Sequence, residues 1–159
     1  MPAIKSLVQS PRKRKAAGKR MGVLGAGAWG TAVAKALADN GHDVTIWARE
    51  PELAAAINER HANEAYLPGV ALPARLSAST EPLDAANGSE ALFIAVPSPF
   101  MLPTVKRVLT SPDIMEGRTL VAVLTKGFIE TDRGPRLIDR KSTRLNSSHT
   151  VLSRMPSSA

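Results

Sequence analysis

The sequence predicts an α/β protein with a doubly wound parallel sheet, and three observations carry that expectation. From residue 21 onward, short apolar runs alternate with segments of helical spacing. The runs at 91–96 and 119–124 are almost continuously apolar, as strands buried on both faces of a parallel sheet must be. The first run, at 21–26, leads straight into Gly25-Ala26-Gly27-Ala28-Trp29-Gly30, where three glycines stand at the spacing G-x-G-x-x-G before an Ala-rich amphipathic stretch. That succession is the strand, tight turn and helix of a dinucleotide-binding unit.

Taken in order, residues 21–26 form the first strand and 28–39 the first helix, with Val33, Ala34, Leu37 and Ala38 on one face. Asn40-Gly41 closes that helix. Residues 42–47 form the second strand, and the short connection implies a right-handed βαβ crossover. A second helix runs over 51–62, with proline in its first turn. Residues 63–73 read as a loop containing Tyr66-Leu67-Pro68-Gly69, followed by a short strand at 75–79. A short helix at 82–87 ends at Gly88, and the strand at 91–96 is broken by Pro97-Ser98-Pro99. Helical spacing resumes over 100–109, and 119–124 is the last strand, with Thr125-Lys126-Gly127 at its carboxyl end. The expected architecture is Rossmann-like and incomplete at its C-terminal edge, which leaves the strand at 119–124 as a bare apolar edge.

Each glycine of the motif has its own task in such a unit. Gly25 permits the tight turn, Gly27 lets a pyrophosphate approach the backbone, and Gly30 lets the helix lie against the strand. The helix N-terminus then offers unpaired N–H groups and partial positive charge to the phosphates. The end of the second strand chooses the cofactor, because an acid there holds a ribose hydroxyl whereas an arginine favours a 2′-phosphate. Here it reads Trp47-Ala48-Arg49-Glu50. Arg49 comes first and suits a forked contact with phosphate, so NADP is favoured, with NAD accommodated through Glu50. Val96-Pro97-Ser98 lies at the same edge of the sheet and shapes the floor of the cleft, or simply ends the strand. Lys126 is placed there to meet a substrate anion or the nicotinamide end, and Gly127 allows close backbone approach.

Composition narrows the alternatives. The chain has 159 residues, no cysteine and a formal net charge of +7. The lack of cysteine excludes disulfide and thiolate chemistry and fits a cytoplasmic protein. No apolar run is long enough to span a membrane. The positive charge is confined to the ends: residues 1–20 carry seven basic side chains and no acid, and 139–159 carry four basic and one acidic. Residues 21–138 hold ten basic and thirteen acidic side chains, which argues against a nucleic-acid-binding domain. The segment 1–20 reads as a basic disordered extension; an import signal, a nucleic-acid-binding arm or a transit peptide are its sharper readings. His42 and His61 have no neighbours at metal-ligand spacing and read as structural, and no metal site is expected.

Residues 139–159 do not continue the pattern. The run Asp139-Arg140-Lys141-Ser142-Thr143-Arg144-Leu145-Asn146-Ser147-Ser148-His149 matches, in one reading frame, the translation of a common sequencing-library adapter. Ser153-Arg154-Met155-Pro156-Ser157-Ser158-Ala159 matches the next fixed adapter segment in the same frame. The expectation is a non-native disordered tail on a natural sequence that ends near Ile138.

Together the motifs resemble the amino-terminal domain of NAD(P)-dependent glycerol-3-phosphate dehydrogenase. The matching pieces are Gly25-Ala26-Gly27-Ala28-Trp29-Gly30-Thr31, Asn40-Gly41-His42, Trp47-Ala48-Arg49, Tyr66-Leu67-Pro68-Gly69, Val96-Pro97-Ser98 and Thr125-Lys126-Gly127. The likeness covers residues 21 to about 138. It implies cofactor contacts, to NADP or NAD, at Trp29, Arg49, Tyr66 and Lys126 beside the glycines, with Lys126 also near a small phosphate substrate. It further implies reduction of dihydroxyacetone phosphate to sn-glycerol 3-phosphate or the reverse, and a homodimeric full-length enzyme that engages neither nucleic acid nor membrane. After Gly127 the sequence reads Phe128-Ile129-Glu130, one residue longer than the family's pattern. The family's catalytic lysine lies in a later helical domain, so no catalytic residue is expected in this chain, and at best weak nucleotide binding without turnover. A ketopantoate or hydroxyacid reductase and a non-catalytic nucleotide-sensing module are the alternatives.

Overall fold

The computed structural model describes residues 18–125, together with the backbone of the short strands at 128–129, 136–137 and 152–153. Five strands form the parallel sheet: β1 (Arg20–Leu24), β2 (Asp43–Trp47), β5 (Leu76–Ser79), β6 (Ala91–Ile94) and β7 (Leu120–Val123). Their spatial order is β5-β2-β1-β6-β7, every neighbouring pair parallel, with Val23 opposite both Ile46 and Phe93. The chain therefore winds outward from β1 in one direction through β2 and β5, then returns to start again at β6 on the other side.

Alternation along the central strands sends neighbouring side chains to opposite faces. Val23 and Ile46 enter one core with Ala34 and Ala38 of α1 (Ala28–Asp39) and Leu53 and Ile57 of α2 (Pro51–Arg60). Leu24, Trp47, Leu92 and Ile94 enter a second core, with Ala85 and Ala86 of α3 (Pro82–Ala86) and Met101 and Val108 of α4 (Ser98–Val108). Ile114 of α5 (Pro112–Met115) joins the same core. Two dry layers on either side of one sheet explain why β1 and β6 read as unbroken apolar runs.

The expected elements differ from the observed ones at identifiable points. β1 ends at Leu24 rather than 26, because Gly25 turns the chain at φ +108°. α2 stops at Arg60, where His61 takes a left-handed conformation at φ 48°. The expected loop over 63–73 is instead an antiparallel hairpin of β3 (Ala62–Asn63) and β4 (Leu67–Ala71). α4 begins at Ser98 rather than 100, since Pro97 serves as its N-cap and a proline in the first helical turn loses no intrahelical bond. α5 was not anticipated.

The edge expected to be bare is occupied. β10 (Leu152–Ser153) pairs antiparallel with β7, placing Leu152 opposite Ala122 and Ser153 opposite Val121. The outer row of peptide groups on β7 offers a ready template for any extended segment within reach. β8 (Phe128–Ile129) and β9 (Arg136–Leu137) form a separate antiparallel pair. The remaining residues of 139–159, the segment 1–17 and Lys126-Gly127 lie outside the described residues.

Candidate dinucleotide site

β1 and β6 lie side by side, yet the chain leaves them toward opposite faces: β1 feeds α1 on one side and β6 feeds α4 on the other. This divergence is a topological switch point, and in open α/β sheets the ligand crevice lies at the carboxyl ends of the two strands there. The glycine loop lines one side of it.

The three motif glycines are needed for three different reasons. Gly25 adopts a φ that L-residues avoid, and its N–H donates to the Trp47 carbonyl at 3.1 Å. A Cβ on Gly30 would stand 1.9 Å from the Gly25 carbonyl oxygen, so only glycine lets α1 pack this closely on the turn. A Cβ on Gly27 would meet nothing within 4 Å. Gly27 caps α1 without a side chain, so the residue borders open space in front of the helix N-terminus. That is where the backbone must stay bare for a pyrophosphate to approach.

A buried polar cluster fixes the loop from behind. Thr31 and Asn63 are both fully buried. The Ala26 carbonyl accepts from Thr31 Oγ1 at 3.2 Å and from Asn63 Nδ2 at 2.9 Å. Asn63 Nδ2 also donates to Thr31 Oγ1 at 2.8 Å, and Asn63 Oδ1 accepts from the Tyr66 N–H at 3.1 Å. Sequence reasoning passed over Asn63, and its only local signal is an Asn opening the turn 63–66.

Of the expected contact residues, Trp29 stands in the first turn of α1 and is 62% exposed, and Tyr66 in the β3–β4 turn is 47% exposed. Phe100, in the first turn of α4, is 53% exposed and was not singled out in the sequence. Large rings left in water on segments beside one crevice mark a surface suited to a ligand. Arg49, just past β2, lies over the Phe100 ring with Cζ 5.8 Å from the centroid. Its guanidinium also pairs with Glu50 Oε1, through Nε at 3.0 Å and Nη2 at 2.9 Å. Arg49 and Glu50, read from the sequence as competing determinants of the cofactor, are therefore each other's partners. At the far side of the crevice, Thr125 Oγ1 donates to the Val96 carbonyl at 2.6 Å, binding the end of β7 to the end of β6. Lys126, the next residue and the expected nicotinamide and substrate contact, lies outside the described residues.

Other features sit away from this crevice. An open groove of about 500 Å³ lies beside α3, lined by polar groups of Arg20, Thr45, Ser77, Ser79 and Asp84. Among the described residues no cluster of three or more His, Asp or Glu side chains is arranged to hold a metal ion. None of their helices is long and apolar enough to cross a membrane.

The chain is 42% identical over 125 residues to a glycerol-3-phosphate dehydrogenase (NAD(P)+) of Treponema pallidum, covering 73% of this chain and 35% of that protein. It thus spans about a third of the length of that curated relative. Among solved structures, glycerol-3-phosphate dehydrogenase of Saccharomyces cerevisiae superposes with a TM-score of 0.66 at 28% identity, over 80% of this chain and 39% of that one. The enzyme of Coxiella burnetii gives 0.65 at 30% identity, over 71% and 34%. Residues 20–157 match the family described as NAD-dependent glycerol-3-phosphate dehydrogenase N-terminus, and this match, covering most of the chain, decides against the reductase alternatives. With its glycine loop at the switch point of a five-stranded parallel sheet, the chain belongs to that family of dehydrogenase amino-terminal domains.

Proposed function

We propose that this chain is the cofactor-binding part of an enzyme that interconverts dihydroxyacetone phosphate and sn-glycerol 3-phosphate with NAD(H) or NADP(H). The observation that carries the reading is the bare backbone at Gly27, open in front of the α1 N-terminus while Gly25 and Gly30 on either side are tightly packed. In this reading Gly25, Gly27 and Gly30 cradle the pyrophosphate, and Trp29 and Tyr66 supply apolar surface beside it. Arg49 meets the adenosine end, and Lys126 faces the nicotinamide and the substrate phosphate. The protein acts in the cytoplasm, and the full-length enzyme is a homodimer.

Hydride transfer to a carbonyl also needs a proton source as the alkoxide develops. The residues of this proposal position a cofactor and supply one cationic contact to the substrate, that of Lys126. The 159-residue chain is therefore expected to bind NADH without turning over dihydroxyacetone phosphate. Titration with NADH by calorimetry, beside an absorbance assay of NADH oxidation with dihydroxyacetone phosphate, checks both halves. Absence of any dinucleotide binding overturns the assignment of the site, and cofactor-dependent turnover overturns the division of labour.

A further inference from the structure

We infer that Asn63 is a positioning residue for the cofactor: it holds the peptide between Ala26 and Gly27 so that the Gly27 N–H points into the crevice. The inference rests on the proposed dinucleotide site and adds a residue that the glycine motif does not contain.

The argument begins with the peptide plane. In a trans peptide the carbonyl and the following N–H point in opposite directions. Whatever fixes the Ala26 carbonyl therefore also aims the Gly27 N–H. That carbonyl is fixed twice, by Thr31 Oγ1 and by Asn63 Nδ2, so both of its acceptor positions are engaged on the buried side. Gly27 itself borders open space: apart from its chain neighbours, nothing lies within 4 Å of where a Cβ would stand. The partners also settle the orientation of the Asn63 amide. The Tyr66 N–H requires an oxygen and the Ala26 carbonyl requires a nitrogen, so the side chain fits one way only.

Asn63 lies 37 residues from Ala26 in sequence, and it links two parts of the crevice. One amide group holds the phosphate loop through Nδ2 and the turn carrying Tyr66 through Oδ1. A side chain that served only to stabilise the fold would affect all ligands alike. A side chain that aims the Gly27 N–H affects those bearing a pyrophosphate.

The test follows amide resonances of the full chain by NMR during titration with ADP and, separately, with adenosine. In the native protein ADP shifts the Gly27 resonance and adenosine leaves it in place. Asn63→Ala is expected to weaken ADP at least tenfold and to leave adenosine within twofold. Unchanged ADP affinity overturns the inference, and so does equal loss of both ligands. If Asn63→Ala does not fold, Thr31→Val and Thr31→Ser decide. Selective loss of ADP in the valine variant, restored by serine, supports the inference; no loss, or loss of both ligands, overturns it. If the native chain binds neither ADP nor NADH, the proposed function falls and takes the inference with it.

Discussion

At the scale of single residues, the glycines separate packing from binding. Gly30→Ala drives a methyl group into the Gly25 carbonyl, which neither backbone segment can yield without moving the turn. The expected loss is about 3 kcal/mol or more, measurable by urea denaturation. Gly27→Ala meets open space at φ −69°, so stability is expected to stay within about 1 kcal/mol while affinity for NADH falls. A variant pair with the opposite pattern would remove the assignment of the two positions. Glu50 offers a third test. Its carboxylate engages Arg49, the residue a 2′-phosphate would seek, and would stand as a like charge beside a phosphate bound there. Removing one exposed like charge at about 4 Å is worth about 1 kcal/mol, so Glu50→Gln is expected to raise affinity for NADPH relative to NADH roughly fivefold. Parallel titrations with the two cofactors read it directly. The glycine spacing made the loop legible in sequence, and with it the task of each of its three glycines. Gly22 lies outside that spacing and its need was hidden: a Cβ there would stand 1.9 Å from the Ala85 carbonyl, a contact that exists only once α3 has packed on β1.

Among elements, those with strong periodicity were legible and those held by distant partners were not. α1 was read with its observed bounds because its apolar stripe and its Asn-Gly stop are local features. The β3–β4 hairpin was read as a loop, since its strands are short and contain Pro68 and Gly69, residues that discourage a strand assignment. Asn63 of β3 ties it to the Ala26 carbonyl of the glycine loop, and within it the Gly69 N–H donates to Glu64 at 3.1 Å. α5 escaped notice for a similar reason. Four residues carry no period, and its place is set by Asp113, which accepts from the Gly88 N–H at 2.8 Å and from Arg118 Nε at 2.9 Å. The Gly88 N–H and then the Arg118 guanidinium hold the Asp113 carboxyl below its usual pKa. A folded-state pKa below the unfolded one contributes stability that is fully present above the unfolded value and is lost as pH falls through the folded value. Asp113→Asn is therefore expected to cost stability at pH 7 and progressively less below about pH 4. Denaturation midpoints of both proteins across pH 3 to 7 test this; a constant difference would show that the carboxylate charge is not responsible.

For the whole molecule, the sheet and its two-sided core followed from the order of apolar runs, because parallel strands with covering helices admit few arrangements. The switch point between β1 and β6 followed too, since it is fixed by where the winding reverses. The pairing of β10 with β7 did not follow, because a two-residue antiparallel contact leaves no trace in periodicity. The pairing of Arg49 with Glu50 was equally hidden: the sequence shows two charges side by side, and only the fold shows that they meet beside the Phe100 ring.

The doubly accepted Ala26 carbonyl has an electronic consequence as well as an orienting one. Two donors on a carbonyl oxygen draw density toward it and increase the double-bond character of the adjoining C–N bond. The nitrogen becomes more positive, and its N–H a stronger donor. Bonds made inside the core by Thr31 and Asn63 are thus carried through one resonance unit to the surface, where the Gly27 amide reaches the crevice already polarised toward an anion.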